Sequence, residues 1–424
     1  MLPFRGAAFC VHIWQIRQRR LYQGPDPTRR RFARTRYSFA NQQASAAANA
    51  AISDFAPVNL SGHPPAPGYG ATSRPPLQND MKESIEERID RLHAGGIVDF
   101  HFELLIDLYE KRDRPGVLVS HFLPEFEAGG IGVLGVAIYI EDRYLPEMGL
   151  RVALDQVARL YAEVEQTDRF AICKTFAEIE RARAAKKIAL VITMEGVEPL
   201  GEDLNLLRAF YELGLRSVGL THARRNAAGS GGIFKPSGSP HDGLTNFGRD
   251  VVRECERLGI LIDLAHINPK GFEDIVELTS KPFIVSHTNA RKFCDIERNI
   301  SDEQIKIIGQ RGGVVGVNAI LVSRDPETST LDRYVDHIEH VIGLIGIDGV
   351  GIGFDFCEYL FQQLPEKVRT ELAAKLTTPH FIADLTNHSH AKNLTRKLIE
   401  HGFSDEQIEK ILRSNWLRIF KECF

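Results

Sequence analysis

The sequence predicts a (β/α)8 barrel, a closed ring of eight parallel strands covered by helices. Three observations carry this prediction. Eight short apolar runs recur along the chain, helical patterns lie between most of them, and His, Glu or Asp residues stand at the ends of several runs. Because the strand ends of such barrels form the catalytic face, polar residues in these positions predict a site assembled there.

The eight apolar runs are nearly continuous and rich in Val, Ile and Leu. Runs of this kind are typical of strands that are buried on both faces of a parallel sheet. A closed barrel buries all of them together. The runs are Ile97–Phe100, Ile131–Ile140, Ile188–Met194, Ser217–Leu220, Ile260–Leu264, Phe283–Val285, Val314–Val317 and Val350–Ile352.

Helical patterns separate these strands. In Asp203–Leu213 the apolar residues recur at helix spacing, and Gly214 stands where a helix C-cap is expected. The segment Leu331–Ile345 repeats the pattern. Two further segments, Ala223–Gly243 and Glu358–Ala391, exceed ordinary loop length, and we expect both to lie over the catalytic face.

Residues 1–80 differ in composition from the rest of the chain. They contain ten Arg and three Asp but no Lys and no Glu, a net charge of +7, whereas the whole chain carries −4. Segments with little apolar periodicity rarely bury enough surface to offset the entropy lost on folding. We therefore expect residues 1–80 to be a disordered or spurious N-terminal extension and residues 81–424 to form one barrel domain.

Charge and cysteine content exclude several classes of function. Residues 81–424 carry a net charge of −11, which argues against a nucleic-acid partner. No run approaches the roughly 18 apolar residues that a membrane span requires. The six Cys residues are scattered without a CxxC pair, which favours a reducing compartment. We expect a cytoplasmic location, and organellar targeting by the Arg-rich N-terminus is the open alternative.

Five candidate metal ligands stand in or just after these strands, namely His101, Glu103, Glu195, His266 and His287. Residues i and i+2 of a strand point the same way, so His101 and Glu103 could hold one ion. The structural alternatives are a polar pair on a surface strand, a carboxylate at a helix start, or a His satisfied in the core. Two His residues on successive strands, with a Glu two strands earlier, favour the metal site over these alternatives.

These residue types predict metal-assisted hydrolysis. Two divalent cations about 3.5–4 Å apart lower the pKa of a bridging water and polarise a substrate carbonyl. Such a pair needs neutral imidazoles and carboxylates, one of which should bridge. Five protein ligands are too many for a single catalytic zinc with an open position.

Three more residues are candidates for acting on the substrate. Asp355 follows the last strand, where it could accept a proton from the bridging water and pass it to the leaving amine; a helix N-cap is the alternative. His222 could polarise a substrate oxygen, or it could be a loop histidine. Arg298 carries a planar guanidinium that suits a substrate carboxylate, and a solvated surface Arg is its alternative. His337 and His340 lie in a helical pattern away from the strand ends, and we expect them to be structural.

Ten short motifs stand in a fixed order along the body of the chain: Val98-Asp-Phe-His-Phe-Glu, Met194-Glu-Gly, Leu206-Leu-Arg-Ala-Phe-Tyr-Glu-Leu-Gly-Leu-Arg, Leu220-Thr-His, Gly243-Leu-Thr-Asn-Phe-Gly, Leu258-Gly-Ile-Leu-Ile-Asp-Leu-Ala-His, Val285-Ser-His-Thr-Asn-Ala-Arg, Arg298-Asn, Gly351-Ile-Gly-Phe-Asp-Phe and Asn415-Trp-Leu-Arg. No single motif is specific. Taken together, they resemble the membrane dipeptidase family (peptidase family M19) of amidohydrolase-like metal barrels.

The resemblance implies a distorted TIM barrel that hydrolyses small dipeptides with two zinc ions. It implies that Glu195 bridges the ions, that His222 and Arg298 contact the substrate, and that Asp355 is the acid/base. Members of the family often accept a D-residue at the C-terminal position and often dimerise, so a homodimer is an open expectation. The implied ligands of the two ions are His101, Glu103, Glu195, His266 and His287.

The sequence departs from the family pattern at two places. The family's usual first motif is His-x-Asp, whereas this chain has His101-x-Glu103. The added methylene moves the carboxylate by about 1.5 Å, although metal sites tolerate errors of only about 0.2 Å, so the first site must repack or weaken. After Asp355, the segment Phe356-Cys357-Glu358 replaces the usual acidic residue and Gly. Two alternatives therefore stay open: a hydrolase acting on another amide or N-substituted amino acid, and a non-catalytic barrel with an impaired first metal site.

Overall fold

The structure is a computed structural model that describes residues 83–234, 242–358, 366, 370 and 379–424. The expectations for residues 1–80 lie outside the described residues. Parts of the two long segments, at 235–241 and at 359–378 apart from residues 366 and 370, lie outside them as well.

Parallel strands form the centre of the described fold. Each of the eight predicted runs overlaps one of these strands. A further strand, β3, was not predicted, because its three residues are too short to give a periodic signal. The strands are β1 Ile97–Phe102, β2 Ile131–Tyr139, β3 Phe170–Ile172, β4 Ile188–Glu195, β5 Leu215–Gly219, β6 Leu261–Asp263, β7 Val285–Thr288, β8 Val315–Val317 and β9 Val350–Ile352.

Eight of the strands close into a ring, which confirms the predicted barrel. Their order is β6-β5-β4-β2-β1-β9-β8-β7. A parallel bridge between Asp263 and Ile284 then joins β6 to the start of β7, and the Leu264 N–H donates to the Ile284 carbonyl over 2.8 Å. The extra strand β3 pairs with the first half of β4, whereas β5 pairs with its second half. The barrel is therefore distorted beside β4.

Helices connect the strands and cover the ring. Several begin at a hydroxyl that accepts a helix N–H, as Ser84 and Ser301 do in capping boxes. The predicted helix end at Gly214 is confirmed, with a left-handed φ of 116°. The α-helices of the described ranges are α1 Ile85–His93, α2 Leu104–Glu110, α3 Leu123–Gly129, α4 Gly149–Val164, α5 Phe176–Ala184, α6 Asn205–Leu213, α7 Asn246–Leu258, α8 Pro269–Leu278, α9 Asp302–Gln310, α10 Leu331–Ile345, α11 Ala391–Glu400, α12 Asp405–Glu409 and α13 Asn415–Cys423.

The C-terminal helix α13 closes the end of the barrel at which the strands begin. Its Trp416 and Phe420 rings lie 5.0 and 4.6 Å from the ring of Phe100 in β1. The Trp416 indole donates to the Ile352 carbonyl over 3.0 Å. Polar side chains lie at the opposite end of the barrel, where the strands finish. No helix among the described residues has both the length and the apolarity needed to cross a membrane.

Candidate metal centre

Six polar side chains converge where the strands end. His101 lies in β1, Glu195 is the last residue of β4, and His287 lies in β7. The other three stand three residues past the ends of β5, β6 and β9. The six form two groups, each with its ligand atoms within 4.8 Å of one another: His101, His287 and Asp355 in the first, and Glu195, His222 and His266 in the second.

One carboxylate oxygen connects the two groups. Oε1 of Glu195 lies 3.0 Å from Nε2 of His266, 3.4 Å from Nε2 of His287 and 3.8 Å from Nε2 of His101. The rings of His101 and His287 are stacked, with centroids 3.6 Å apart. A carboxylate placed between imidazoles in this way has the geometry of a bridging ligand.

Burial keeps the imidazoles neutral. Desolvation, together with a smaller contribution from the positive charge of Arg298, lowers the pKa of His101 to about 3. For the same first reason, the pKa values of His222, His266 and His287 lie well below their usual value. At neutral pH, therefore, each ring offers a lone pair rather than a charge, which is the form that binds a divalent metal.

Burial acts in the opposite direction on the acids. With desolvation as the main cause, the pKa of Asp355 is raised to about 7 and that of Glu195 well above its usual value. Neighbouring carboxyls add to both shifts, Asp99 acting on Asp355 and Glu103 acting first on Glu195. Neutral imidazoles cannot compensate these carboxylates, so the cluster is costly as it stands. A divalent cation would supply the missing positive charge and reverse the acid shifts.

The unused atoms of the cluster fit such a cation. Nε2 of His101 and Oε2 of Glu195 are buried and have no hydrogen-bond partner. A buried polar atom without a partner is rare in native proteins and indicates a position where an ion or a water binds. Imidazole nitrogens together with carboxylate oxygens are also the donor set that zinc accepts. The residues present therefore fit divalent metal ions.

Glu103 lies beside the two groups but belongs to neither of them within the described residues. Strand β1 ends at Phe102, and Glu103 becomes the N-cap of α2 with φ −80° and ψ 37°. The alternation expected for His101 and Glu103 therefore stops one residue too early. Burial, together with smaller contributions from the charges of Asp355 and Glu141, raises the pKa of Glu103 to about 8. Its role as a ligand stays a prediction.

Arg298 is buried, so it does not match its alternative of a solvated surface Arg, and His222 is a buried residue of the loop that follows β5. Arg298 is 3% exposed, and its Nη2 donates to the His287 carbonyl over 3.0 Å. The His222 ring lies 4.3 Å from that of His266, centroid to centroid. Asp355 has a left-handed φ of 57°, and its Oδ2 accepts from the Asn318 amide over 3.1 Å. Strained backbone of this kind in a non-Gly residue is typical of functional sites.

Four polar residues around the site were missed at the sequence level, namely Asp99, Asp263, Asn318 and His388. All four are at least nine-tenths buried. Asp99 and Asp263 stand inside apolar runs, where a charged side chain is costly unless it is paired, and that signal could have found them. Nothing in the sequence marks His388, which meets Asp99 from a distant part of the chain.

The family follows from a comparison of the whole chain with known proteins. The model of the membrane dipeptidase family, peptidase family M19, matches residues 86–369. The chain belongs to peptidase family M19. The resemblance carried by the motifs is thereby confirmed. Among individual relatives, a dipeptidase of Claviceps purpurea (strain 20.1), tcpJ, is 30% identical over 275 residues. That match covers 63% of this chain and 58% of the relative's own length.

Solved structures of a metallopeptidase and of a dipeptidase share the fold. The metallopeptidase of Rhodobacter sphaeroides, crystallised with a phosphinate mimic of the dipeptide L-Ala-D-Ala, superposes with a TM-score of 0.68 at 25% identity. It covers 78% of this chain and 99% of that one. The dipeptidase AC, a metallopeptidase of family M19, also gives 0.68, at 27% identity over 77% of this chain and 98% of that one. The distorted barrel and the metallo-dipeptidase family are therefore established together.

Proposed function

We propose that this chain hydrolyses dipeptides with a pair of divalent cations, for which zinc is the expected metal. One observation carries the proposal: a single oxygen of Glu195 faces His266, His287 and His101 at 3.0, 3.4 and 3.8 Å. A carboxylate in this position can bridge two ions. The proposed ligands are His101, Glu103, Glu195, His266 and His287, with Glu103 assigned to the first ion.

The residues around the ions have separate tasks in the proposed reaction. When bound, the two cations supply a water of lowered pKa and polarise the scissile carbonyl. Asp355 receives the proton of that water and returns it to the leaving amine, and Asn318 holds the carboxyl in place over 3.1 Å. His222, neutral and buried, donates a hydrogen bond to the oxygen that becomes charged.

Arg298 selects the substrate in this proposal. Its guanidinium is fixed at the His287 carbonyl, and the planar group can form two parallel hydrogen bonds to a free carboxylate. A small dipeptide presents such a carboxylate one residue beyond the scissile bond. Because the metallopeptidase of Rhodobacter sphaeroides binds a mimic of L-Ala-D-Ala, we include dipeptides with a C-terminal D-residue in the proposed class.

A panel of L,L-dipeptides, L,D-dipeptides and N-acyl amino acids, assayed on zinc-loaded protein, tests the substrate class. The proposal expects hydrolysis of at least one dipeptide series and little action on the N-acyl compounds. The reverse preference favours the second candidate, a hydrolase of another amide or N-substituted amino acid. That candidate draws its support from Glu103, which lies outside both ligand groups. If the protein neither hydrolysed any substrate nor took up metal, the remaining alternative would be a non-catalytic barrel.

The remaining expectations concern the whole chain. We propose that residues 81–424 act as one catalytic barrel and that residues 1–80 take no part in catalysis. A homodimer and a cytoplasmic location are carried over from the resemblance and the composition, and no nucleic-acid partner is proposed. Light scattering of the purified chain and cell fractionation test these points.

A further inference from the structure

Two pairs of neighbouring strands in the barrel, β1 with β9 and β6 with β7, share few backbone pairings, and both lie beside the candidate metal centre. These two pairings are called the seams of the barrel. β1 meets β9 at one registered pair, Asp99 with Ile352. β6 meets the β7 side only through the bridge between Asp263 and Ile284. By contrast, β2 and β4 stay in register from Val133 to Tyr139. The candidate site residues His101, His266, His287 and Asp355 therefore lie on or just after strands at these two seams, whereas Glu195 ends the well-paired strand β4.

A buried aspartate stands at each seam and makes the same pair of contacts. Oδ1 of Asp99 accepts from the N–H of His101 over 3.3 Å, on its own strand, and from the N–H of Phe354 over 2.9 Å, past the end of β9. Oδ1 of Asp263 accepts from the N–H of Ala265 over 3.0 Å and from the N–H of Ser286 over 2.9 Å. In both cases one oxygen joins two neighbouring strands.

Each aspartate holds the residue just before a strained one. The N–H of Phe354 precedes Asp355, whose φ is 57°, and the N–H of Ala265 precedes His266, whose φ is 63°. Both strained residues point a side chain into the ligand groups. Left-handed backbone in a non-Gly residue persists only where the surroundings fix it. The two aspartates hold the backbone at these two points. Without them, the backbone that carries the candidate ligands (the ligand frame) would relax.

The two aspartates also act on histidine side chains. Ser286, held by Asp263, places its hydroxyl 2.7 Å from Nδ1 of His287. When Nδ1–H donates to this hydroxyl, the lone pair of Nε2 faces the site. Oδ2 of Asp99 accepts from Nε2 of His388 over 2.8 Å.

His388 is itself held by close packing, which fixes the side of Asp99 that it contacts. Aromatic rings surround its imidazole edge to face, with the centroid of Phe102 at 4.7 Å and those of Phe126 and Phe356 at 4.9 Å. His388 is fully buried. A rigid aromatic cage thus sets the orientation of the Asp99 carboxylate, which in turn sets the ends of β1 and β9.

We propose that Asp99 and Asp263 are positioning residues for the metal centre, each preorganising one half of it before a metal binds. Asp99 places His101 and Asp355, and Asp263 places His266 and His287. The inference rests on the proposed metal centre. It adds that the ligand frame is built by two carboxylates that bind no metal themselves.

Cobalt titration of the metal-free full-length chain tests the inference, because the visible absorption of Co²⁺ reports each binding step. We expect Asp99→Ala and Asp263→Ala each to weaken one of the two steps by at least about tenfold, as loss of outer-shell partners does. The double variant should weaken both steps. Asp99→Asn and Asp263→Asn should stay closer to the wild type, because one amide oxygen can still accept both N–H groups.

Glu163→Ala is the matched control. Glu163 is fully buried and accepts from the N–H groups of Gly116 and Leu118 over 3.0 and 2.8 Å, outside the metal centre. It should lose melting temperature and keep the wild-type titration. Alanine variants of Asp99 and Asp263 that titrate as Glu163→Ala does would overturn the inference, while two Co²⁺ in the wild type would leave the proposed function standing. No Co²⁺ uptake by the wild type would overturn both.

If the alanine variants do not fold, hydrogen exchange on the wild type tests whether the two aspartates position the ligands. In the metal-free chain, the amides of His101, Phe354, Ala265 and Ser286 should already be as protected as those of β2 and β4. Rapid exchange of these four amides that slows only when Co²⁺ is added would show that the metal, and not the aspartates, organises the frame, and the inference would fail.

Discussion

Oε1 of Glu195 lies 3.0 Å from Nε2 of His266, across the strand β5 that separates them in the barrel. Burial favours the neutral form of both groups, so this contact gains little as an ion pair. His287 approaches the same oxygen at 3.4 Å. Several neutral imidazole nitrogens lie around one buried carboxylate, and cations bound between them would explain this arrangement. The predictions below follow from that explanation.

Removing either member of this contact should abolish hydrolysis and leave the fold. We expect Glu195→Ala and His266→Ala to lose activity by several orders of magnitude, with melting temperatures close to that of the wild type. The reason is that strand-end residues of such barrels serve chemistry more than stability. Rates of dipeptide hydrolysis and thermal melts check this. Near-normal activity in either variant would end the assignment of these residues to the site.

Arg298 should determine the preference for a free C-terminal carboxylate. A hydrogen bond to a charged group contributes about 1.5–3 kcal/mol, or roughly tenfold to a hundredfold. The wild type should therefore prefer a dipeptide over its C-terminal amide, and Arg298→Ala should remove most of that preference. Arg298→Lys should also impair it, because Lys keeps the charge and loses the planar fork. The measurement is the ratio of kcat/KM for acid and amide.

A nearby arginine provides the control for this ratio. Arg291 donates from Nε to the Asn299 carbonyl over 2.9 Å and holds the same loop. Arg291→Lys keeps a positive charge beside that loop and leaves Arg298 in place, so it should leave the acid-to-amide ratio unchanged. If Arg298→Ala and the wild type gave equal ratios, the substrate would not be clamped by Arg298, and the second candidate function would gain support.

His337 should make the fold sensitive to acid. It is structural as expected, since its Nε2 donates to the Val322 carbonyl over 2.9 Å and its Nδ1 accepts from the Ala290 N–H over 3.0 Å. Desolvation lowers its pKa from 6.5 to about 3, so the unfolded chain binds the proton more tightly. Its contribution is complete above the unfolded pKa of 6.5 and is lost as the pH falls from there towards 3. The loss at pH 5 is about 2 kcal/mol.

The variant His337→Asn isolates this contribution from those of the other buried histidines. It will be less stable than the wild type at pH 7, so each protein is compared with itself. Between pH 7 and pH 5 the variant should lose less melting temperature than the wild type. Equal losses would show that protonation of His337 does not oppose folding in this range.

Removal of residues 1–80 should leave activity and melting temperature unchanged. The segment carries ten Arg and no Lys or Glu, and its apolar residues lack a core-forming pattern. Thermal melts and kcat/KM of the truncated and full chains check the prediction. A large fall in melting temperature would mean that the segment packs on the barrel.

The strands and the candidate site residues could be predicted because both leave local marks. A buried parallel strand is a continuous apolar run, and a His or Glu at its end interrupts that run visibly. The helix end at Gly214 was predicted for a similar reason, since few residues accept its left-handed φ. The bounds of Leu331–Ile345 also agree with the observed helix.

The structural features that could not be predicted from the sequence depend on contacts between distant segments. The strand β3 exists because its three residues find β4, and alone they carry no periodicity. The position of Glu103 depends on where β1 stops, which the apolar pattern does not mark. The contact of Asp99 with His388 is set by the packing of the C-terminal segment against β1. Such pairings are visible only in three dimensions.

The number of metal ions per chain tests the central claim most directly. Purified full-length protein, reconstituted with zinc and freed of unbound metal, should contain close to two zinc ions per chain by elemental analysis, and Glu195→Ala should contain clearly fewer. Two ions follow from the position of Glu195 Oε1 among His266, His287 and His101. A firm value of one would show that Glu103 does not complete the first site. A value near zero in the wild type would contradict the proposed mechanism altogether.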